Sequence, residues 1–332
     1  MRIKGIHYDV GIDTVDGKVT RPQLPREQMA CELDMIAREL HANAVRISGK
    51  DAGRMAVAAK LAAERGLEVW LSPFLTNGTA ADTLALLRET AALGERQRRD
   101  GTPVTLIVGL ELSGFLKGIV PGDTLLERLE LLSDPARLIP AVMAGGKDPR
   151  ETMAAFLQQA VNTARACFGG PVTYGAGLWE DVDWSLFDIV GIDAYRDAHT
   201  RAGFSEKLDG YLSHGKHVVV TEFGCATFRG AADMGSMAWT MADRSSSPAQ
   251  LKPGTVRDEA EQVRELADLL RTYDAASLEG GFIYTLVAPS YPSNPNAELD
   301  LDAASYCLVR TWSDGRTEPK EAFHAVAAAY GA

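Results

Sequence analysis

The sequence predicts an α/β fold, a (β/α)8 TIM barrel in which residues 1–332 form one domain with long loops after strands 4 and 7. Three observations carry this. Eight short runs rich in Val, Ile, Leu and aromatics alternate with longer amphipathic runs from end to end. No strand–turn–helix junction holds the G-x-G-x-x-G or G-x-x-x-x-G-K-[ST] loop that would favour the rival, an open doubly wound sheet. No linker interrupts the chain, and nothing repeats at fixed length beyond the βα unit itself.

The strands fall at 2–9, 43–48, 67–72, 104–111, 171–177, 187–194, 217–223 and 281–287, each bounded by turn residues. Helices are expected over 25–40, 51–65, 79–99, 150–167, 203–213, 255–274 and 317–330. In the first of these, Met29, Leu33, Ile36 and Leu40 recur at steps of four, three and four, which places them on one face. Asp51, Thr79 and Asp148 suit helix starts, and Gly66 and Gly215 suit stops. The helix after strand 5 shrinks to about Trp184–Leu186.

Two connections are long. The one over about 114–149 contains a short helix at "DTLLERLELL", and the one over about 224–254 ends in "DRSSSPAQLKPG", a candidate mobile lid. Both follow strand C-termini, the face on which barrel active sites form.

Composition narrows the partners. The chain is 46% hydrophobic, enough for a large core, and its net charge of −11 argues against a nucleic-acid partner. Cys31, Cys167, Cys225 and Cys307 lie far apart with no CxxC pair, so neither a disulfide framework nor a zinc site is expected. Cys225 reads as a small buried filler. "ELDLDAAS" lacks the glycine and spacing of an EF-hand loop, and no metal or cofactor is expected. The start, "MRIKGIHYDV", holds no signal-peptide core of roughly 7–15 apolar residues, and no segment approaches a membrane span of about 20. A cytoplasmic protein is the expectation.

A barrel turns the last residues of its strands toward one mouth, so polar residues there are the candidates for a site. They include His7 and Asp9 on strand 1, Arg46 on strand 2, Glu111 on strand 4, Trp179 and Glu180 after strand 5, Asp193 and Tyr195 on strand 6, Glu222 on strand 7 and Tyr284 on strand 8. A pair of carboxylates can divide acid and nucleophile roles when their surroundings push their proton affinities apart. Glu111 and Glu222, on strands 4 and 7, make such a pair. In retaining glycosidases the two carboxyls stand about 5–5.5 Å apart, and in inverting ones about 6.5–9.5 Å.

A strand-4 glutamate with a strand-7 glutamate in this fold resembles the clan A retaining glycoside hydrolases. "AVRIS", "FDIVGIDAY", "VVVTEFG" and the closing "GRTEPKEAFHAVAAAY" are similar to that clan's corresponding segments, and the likeness runs over essentially the whole chain. It implies Glu111 as general acid/base and Glu222 as nucleophile, with Arg46 and Tyr195 holding the Glu222 carboxylate ionised. It also implies a small carbohydrate or glycoside as substrate, with His7, Asp9, Trp179, Glu180, Asp193 and Tyr284 as further contacts. The sequence departs from the clan at Leu110, where an asparagine is usual. It departs again at "IYTLVAPS", where the clan carries tryptophan, and at "WLSPF", which lacks a frequent histidine. A further similarity is to actinobacterial proteins labelled as abortive infection proteins. The expected function is therefore a retaining glycoside hydrolase. The alternatives are a barrel lyase, isomerase or cyclase using the same carboxylates for proton transfer, and a non-catalytic ligand-binding or phage-defence barrel.

Overall fold

The computed structural model describes the backbone of all 332 residues and every side chain except that of Pro135. Eight parallel strands close into a barrel: β1 Ile3–Asp9, β2 Ala44–Gly49, β3 Glu68–Pro73, β4 Val104–Leu110, β5 Val172–Gly177, β6 Val190–Asp193, β7 Val218–Phe223 and β8 Gly280–Ile283. Each pairs with its sequence neighbours, and β1 pairs with β8 to complete the ring, which matches the (β/α)8 expectation.

Alternation decides what fills the interior. Ile3, Ala44, Trp70, Ile107, Val219 and Phe282 pack together as the floor, with the Trp70 and Phe282 rings 5.0 Å apart. Above Phe282 there is no room on β1, since a Cβ at Gly5 would lie 2.3 Å from its ring. Toward the C-terminal ends the inward positions turn polar: His7 and Asp9 on β1, Arg46 and Ser48 on β2. The outward faces of the strands, with the inner faces of the helices, form the larger core.

Helix starts follow local chemistry. Asp51 accepts from Arg54 N, Thr79 closes a capping box with Asp82, and Asp148 accepts from Arg150 N, so each supplies an acceptor to an orphan backbone N–H. Gly66 and Gly215 take positive φ at the stops.

Some expectations shift. The first helix runs over Arg26–Asp34 and continues as a π turn, Met35–Glu39, with Ile36 still buried. The sixth strand is only Val190–Asp193, and the eighth ends at Ile283 rather than 287. Beyond it Leu286 and Val287 are buried in the larger core, while Tyr284 and Thr285 face the cavity. Tyr284 N and Leu286 N still donate to Phe223 O on β7 and His7 O on β1, while Leu308 N and Val309 N donate to Thr285 O and Leu286 O, so this irregular stretch is shared between the barrel and the 308–309 segment. The chain then forms a small antiparallel pair, Val309–Thr311 with Thr317–Pro319, and the closing helix starts only at Glu321.

The connection after β4 holds a single helical turn, Leu112–Phe115, then Leu125–Leu132 as expected and Pro135–Gly145 in addition. The connection after β7 is built rather than loose. A short helix (Ala231–Met234) and a 3-10 turn lead into an antiparallel pair, Ala242–Asp243 with Gln250–Leu251. Cys225, Ala226, Phe228, Leu301 and Tyr306 form a second apolar cluster beneath it.

Asp300 and Asp302 of "ELDLDAAS" serve as salt-bridge partners. Asp302 bonds Arg257 and Lys320 at 2.8 Å each, and both Asp302 and Lys320 are fully buried. Removing one partner of a buried ion pair strands the other charge. Lys320→Met is expected to cost about 3 kcal/mol, the low end of that range because Arg257 remains. Urea unfolding measures it, and a change below about 1 kcal/mol would contradict a stabilising role for the pair.

Candidate active site

The two glutamates are delivered by irregular strand ends. Between Ile107 and Leu110 the pairing of β4 with β5 slips, and between Ile192 and Asp193 the pairing of β6 with β7 does the same, so that Asp193 pairs with Glu222. Such bulges re-aim side chains near sites. Glu111 and Glu222 both line one cavity of about 230 Å3 at the C-terminal mouth, together with His7, Asp9, Arg46, Trp179 and Tyr284.

Glu222 has both oxygens bonded. Arg46 Nη1 donates to Oε2 at 2.9 Å and Tyr195 Oη donates to Oε1 at 3.0 Å. Arg46 is itself fixed, since Nη1 also donates to Thr221 O at 2.8 Å and only 1% of the residue is exposed. Tyr195 touches Glu222 from behind and is not part of the cavity wall. Tyr195→Phe removes one of the two fixed bonds. A kcat loss of about tenfold with little change in KM is expected. Equal loss from every barrel-wall tyrosine would contradict a specific contact.

Glu111 is held differently. Its backbone is left-handed, φ 39° and ψ 47°, a conformation costly for a side chain with a Cβ. Neighbouring bonds enforce it. Glu111 N donates to Gly175 O at 2.9 Å, Leu112 N to Tyr174 Oη at 2.7 Å, and Ser113 N to Glu180 Oε1 at 2.9 Å. The Glu111 carboxylate makes no hydrogen bond among the described residues. Burial, then the charges of Asp193, Glu222 and Glu180, push its proton affinity well above the usual carboxylate range.

The remaining candidates divide. His7 Nδ1 lies 2.9 Å from Thr285 Oγ1, and that hydroxyl donates to His7 O, so Nδ1 carries the proton and Nε2 is left as an acceptor. Burial and Arg46 push the ring's proton affinity down, so it stays neutral. Asp9 accepts from Gly11 N at 2.6 Å. Trp179 is 51% exposed and its indole N–H donates to Ser113 Oγ at 3.0 Å. The Tyr284 ring centre lies 4.7 Å from that of His7, with the planes tilted by 34°.

Two candidates sit elsewhere than a substrate contact requires. Glu180 lies outside the cavity wall, and four donors occupy its carboxylate: Ser113 N and Oγ, Tyr174 Oη and Gly177 N. It fastens the loop after β4 to the loop after β5. Asp193 is 2% exposed beneath the cavity, accepts from Thr221 Oγ1 at 2.6 Å, and leaves Oδ2 without a partner. Burial and Glu222 raise its proton affinity well above the usual range.

Sequence reasoning missed several wall residues. Asp13, Thr14 and Thr20 come from the loop after β1, and Met237, Trp239 and Arg244 from the connection after β7. Only the length of that second connection signalled its involvement.

The fold and the position of this cavity define the class: a (β/α)8 barrel with its candidate site at the strand C-termini. Within that class the chain is similar in structure to a GH113 β-1,4-mannanase, with a TM-score of 0.66 at 12% identity over 99% of each chain. It is also similar to a GH113 β-mannanase from Alicyclobacillus acidocaldarius in complex with ManMIm, with a TM-score of 0.60 at 16% identity, covering 99% of this chain and 97% of that one. A β-D-glucuronidase from Dictyoglomus thermophilum matches with a TM-score of 0.60 at 12% identity, over 99% of this chain and 50% of its own. At these identities the likeness is one of fold. No protein-family model and no curated protein matches the sequence. Among the described residues no helix is long and apolar enough to cross a membrane.

Proposed function

We propose that the protein is a retaining glycoside hydrolase acting on a small glycoside or oligosaccharide. The observation that carries this reading is the contrast between two glutamates on one cavity. Glu222 is bonded at both oxygens by Arg46 and Tyr195, as a nucleophile must be aimed. Glu111 has its proton affinity raised and its carboxyl free, as an acid must. The fold likeness to glycoside hydrolases supports it.

In this mechanism Glu222 attacks the anomeric carbon while Glu111 gives its proton to the departing oxygen. The glycosidic C–O bond breaks and an ester to Glu222 forms. Glu111, now a carboxylate, takes a proton from water, whose oxygen displaces Glu222 and leaves the sugar with its original configuration. His7 Nε2 and Asp9 offer acceptors for sugar hydroxyls, and Trp179 offers a flat face for a ring.

Proton NMR of the first-formed product from aryl mannosides, glucosides and glucuronides tests this. Retained configuration is the expected result, and inversion would overturn the double displacement. Leu110 favours a second reading. It lines the cavity where the clan uses an asparagine, so no side-chain amide from that position meets a sugar hydroxyl. A lyase or isomerase that moves a proton with the same carboxylates would not need that amide, and eliminated rather than hydrolysed product would identify it. The similarity to proteins labelled for abortive infection draws no support from the neighbours compared above.

A further inference from the structure

One cation on the cavity wall is held in no ion pair. Two arginines line the cavity, Arg46 and Arg244. Arg46 is paired with Glu222. Arg244, brought in by the connection after β7, forms no ion pair among the described residues. Its Nη2 donates to Ser290 O at 3.0 Å, and its guanidinium carbon stands 4.4 Å from the centre of the Tyr291 ring.

The acids nearby are engaged elsewhere or have their proton affinity raised by burial. Asp13 pairs with Lys50 at 2.5 Å. Asp16, which feels the charge of Arg244, bonds Lys18 at 3.0 Å and accepts from Thr14 Oγ1 at 2.5 Å. Burial raises the proton affinities of Asp9 and Glu111. The result is a half-buried guanidinium, held by a ring and one carbonyl, with most of its donors unclaimed.

A planar guanidinium is weakly hydrated and its fork matches a carboxylate or phosphate at two points. Stacking on Tyr291 fixes the side chain beforehand, so little rotamer freedom is lost on binding. A neutral hydroxyl would use one donor and leave the charge uncompensated. We infer that the substrate is an anionic glycoside, bearing a carboxylate or a phosphate that Arg244 grips. This rests on the glycosidase reading and narrows its substrate class.

The test pairs substrates that differ only in charge: 4-nitrophenyl glucoside against the glucuronide and against the glucoside 6-phosphate, with the mannose counterparts alongside. Each is measured with the natural protein, Arg244→Gln and Arg244→Lys. The expected result is that one anionic arm exceeds its neutral twin in kcat/KM by about ten- to a hundredfold. The arm that wins distinguishes carboxylate from phosphate. Arg244→Gln is expected to collapse that ratio, and Arg244→Lys to keep part of it. Neutral twins that match or exceed the anionic ones would overturn the inference. So would an Arg244→Gln variant that lowers both by the same factor, which is what a loop fastener alone would do.

Equilibrium binding separates this inference from the glycosidase reading. If no glycoside is turned over, calorimetry with free glucuronate and glucose 6-phosphate still reads it. Binding of either that Arg244→Gln abolishes upholds the anion site without hydrolysis. Binding of neither overturns it.

Discussion

Replacing Glu222 with glutamine is expected to reduce turnover by a factor on the order of 10⁴ or more, because the variant keeps the shape but removes the attacking oxygen. Arg46 would still donate to the single amide oxygen, and the amide N–H could donate to Tyr195 Oη in place of the bond that Tyr195 makes to the second carboxylate oxygen, so the fold should survive; a thermal midpoint within a few degrees of the natural protein checks that. The complementary result uses a slow fluorinated glycoside with the natural protein. A glycosyl adduct should appear by intact mass and map to the peptide carrying "VVVTEFG". Activity in Glu222→Gln within about tenfold of the natural level would remove the nucleophile from the mechanism.

If Glu111 is the acid of the proposed mechanism, it sets the alkaline side of the pH profile. Its first task is to donate a proton, so the protonated form is the active one. Its proton affinity is raised by burial and by Asp193 and Glu222, so that form persists to higher pH than in an ordinary glutamic acid. Activity should therefore be present below the raised pKa and fall as pH climbs through it. Glu111→Gln is expected to abolish this limb. It should slow substrates with alkoxide leaving groups by about 10²–10⁴-fold. Nitrophenyl glycosides depart without help in the first step and should suffer less, with a pre-steady-state burst as the second step becomes limiting. A pH profile whose alkaline limb is unchanged in Glu111→Gln would assign that limb to another group.

Much of the fold was legible in the sequence because each strand is short and each helix amphipathic. Asp51, Thr79 and Asp148 could be read as caps from residue type alone, since a short acceptor before an apolar periodic run has few other uses. The eighth strand was overextended for a definable reason. "YTLV" reads like a strand and keeps single backbone bonds to β7 and β1, but its carbonyls are taken by Leu308 and Val309, far along the chain, and its backbone is no longer regular strand. Strand order also made a site at one mouth legible, with Glu111, Glu222, Arg46 and Tyr195 brought together as expected. What could not be read was orientation. Glu180 sits one residue from Trp179, yet one side chain is consumed by four donors and the other reaches the cavity. Arg244 lies in a polar stretch with no periodicity, and its place on the wall follows from the small antiparallel pair that carries it.

The Glu180 fastening bears on how such a barrel could be altered. One carboxylate joins Ser113, beside Glu111, to Tyr174 and Gly177 on β5, and Ser113 in turn receives the indole of Trp179. The loops after β4 and β5 therefore behave as a single exchangeable cassette. A transplant of the β4 loop alone into a related barrel would break the four side-chain hydrogen bonds that cross between them (Leu112 N to Tyr174 Oη, Ser113 N and Oγ to Glu180, and Trp179 Nε1 to Ser113 Oγ) and release the backbone that keeps Glu111 left-handed. Moved as a pair, the two loops would carry their own scaffold with them, and new substrate preferences could be grafted without rebuilding the acid.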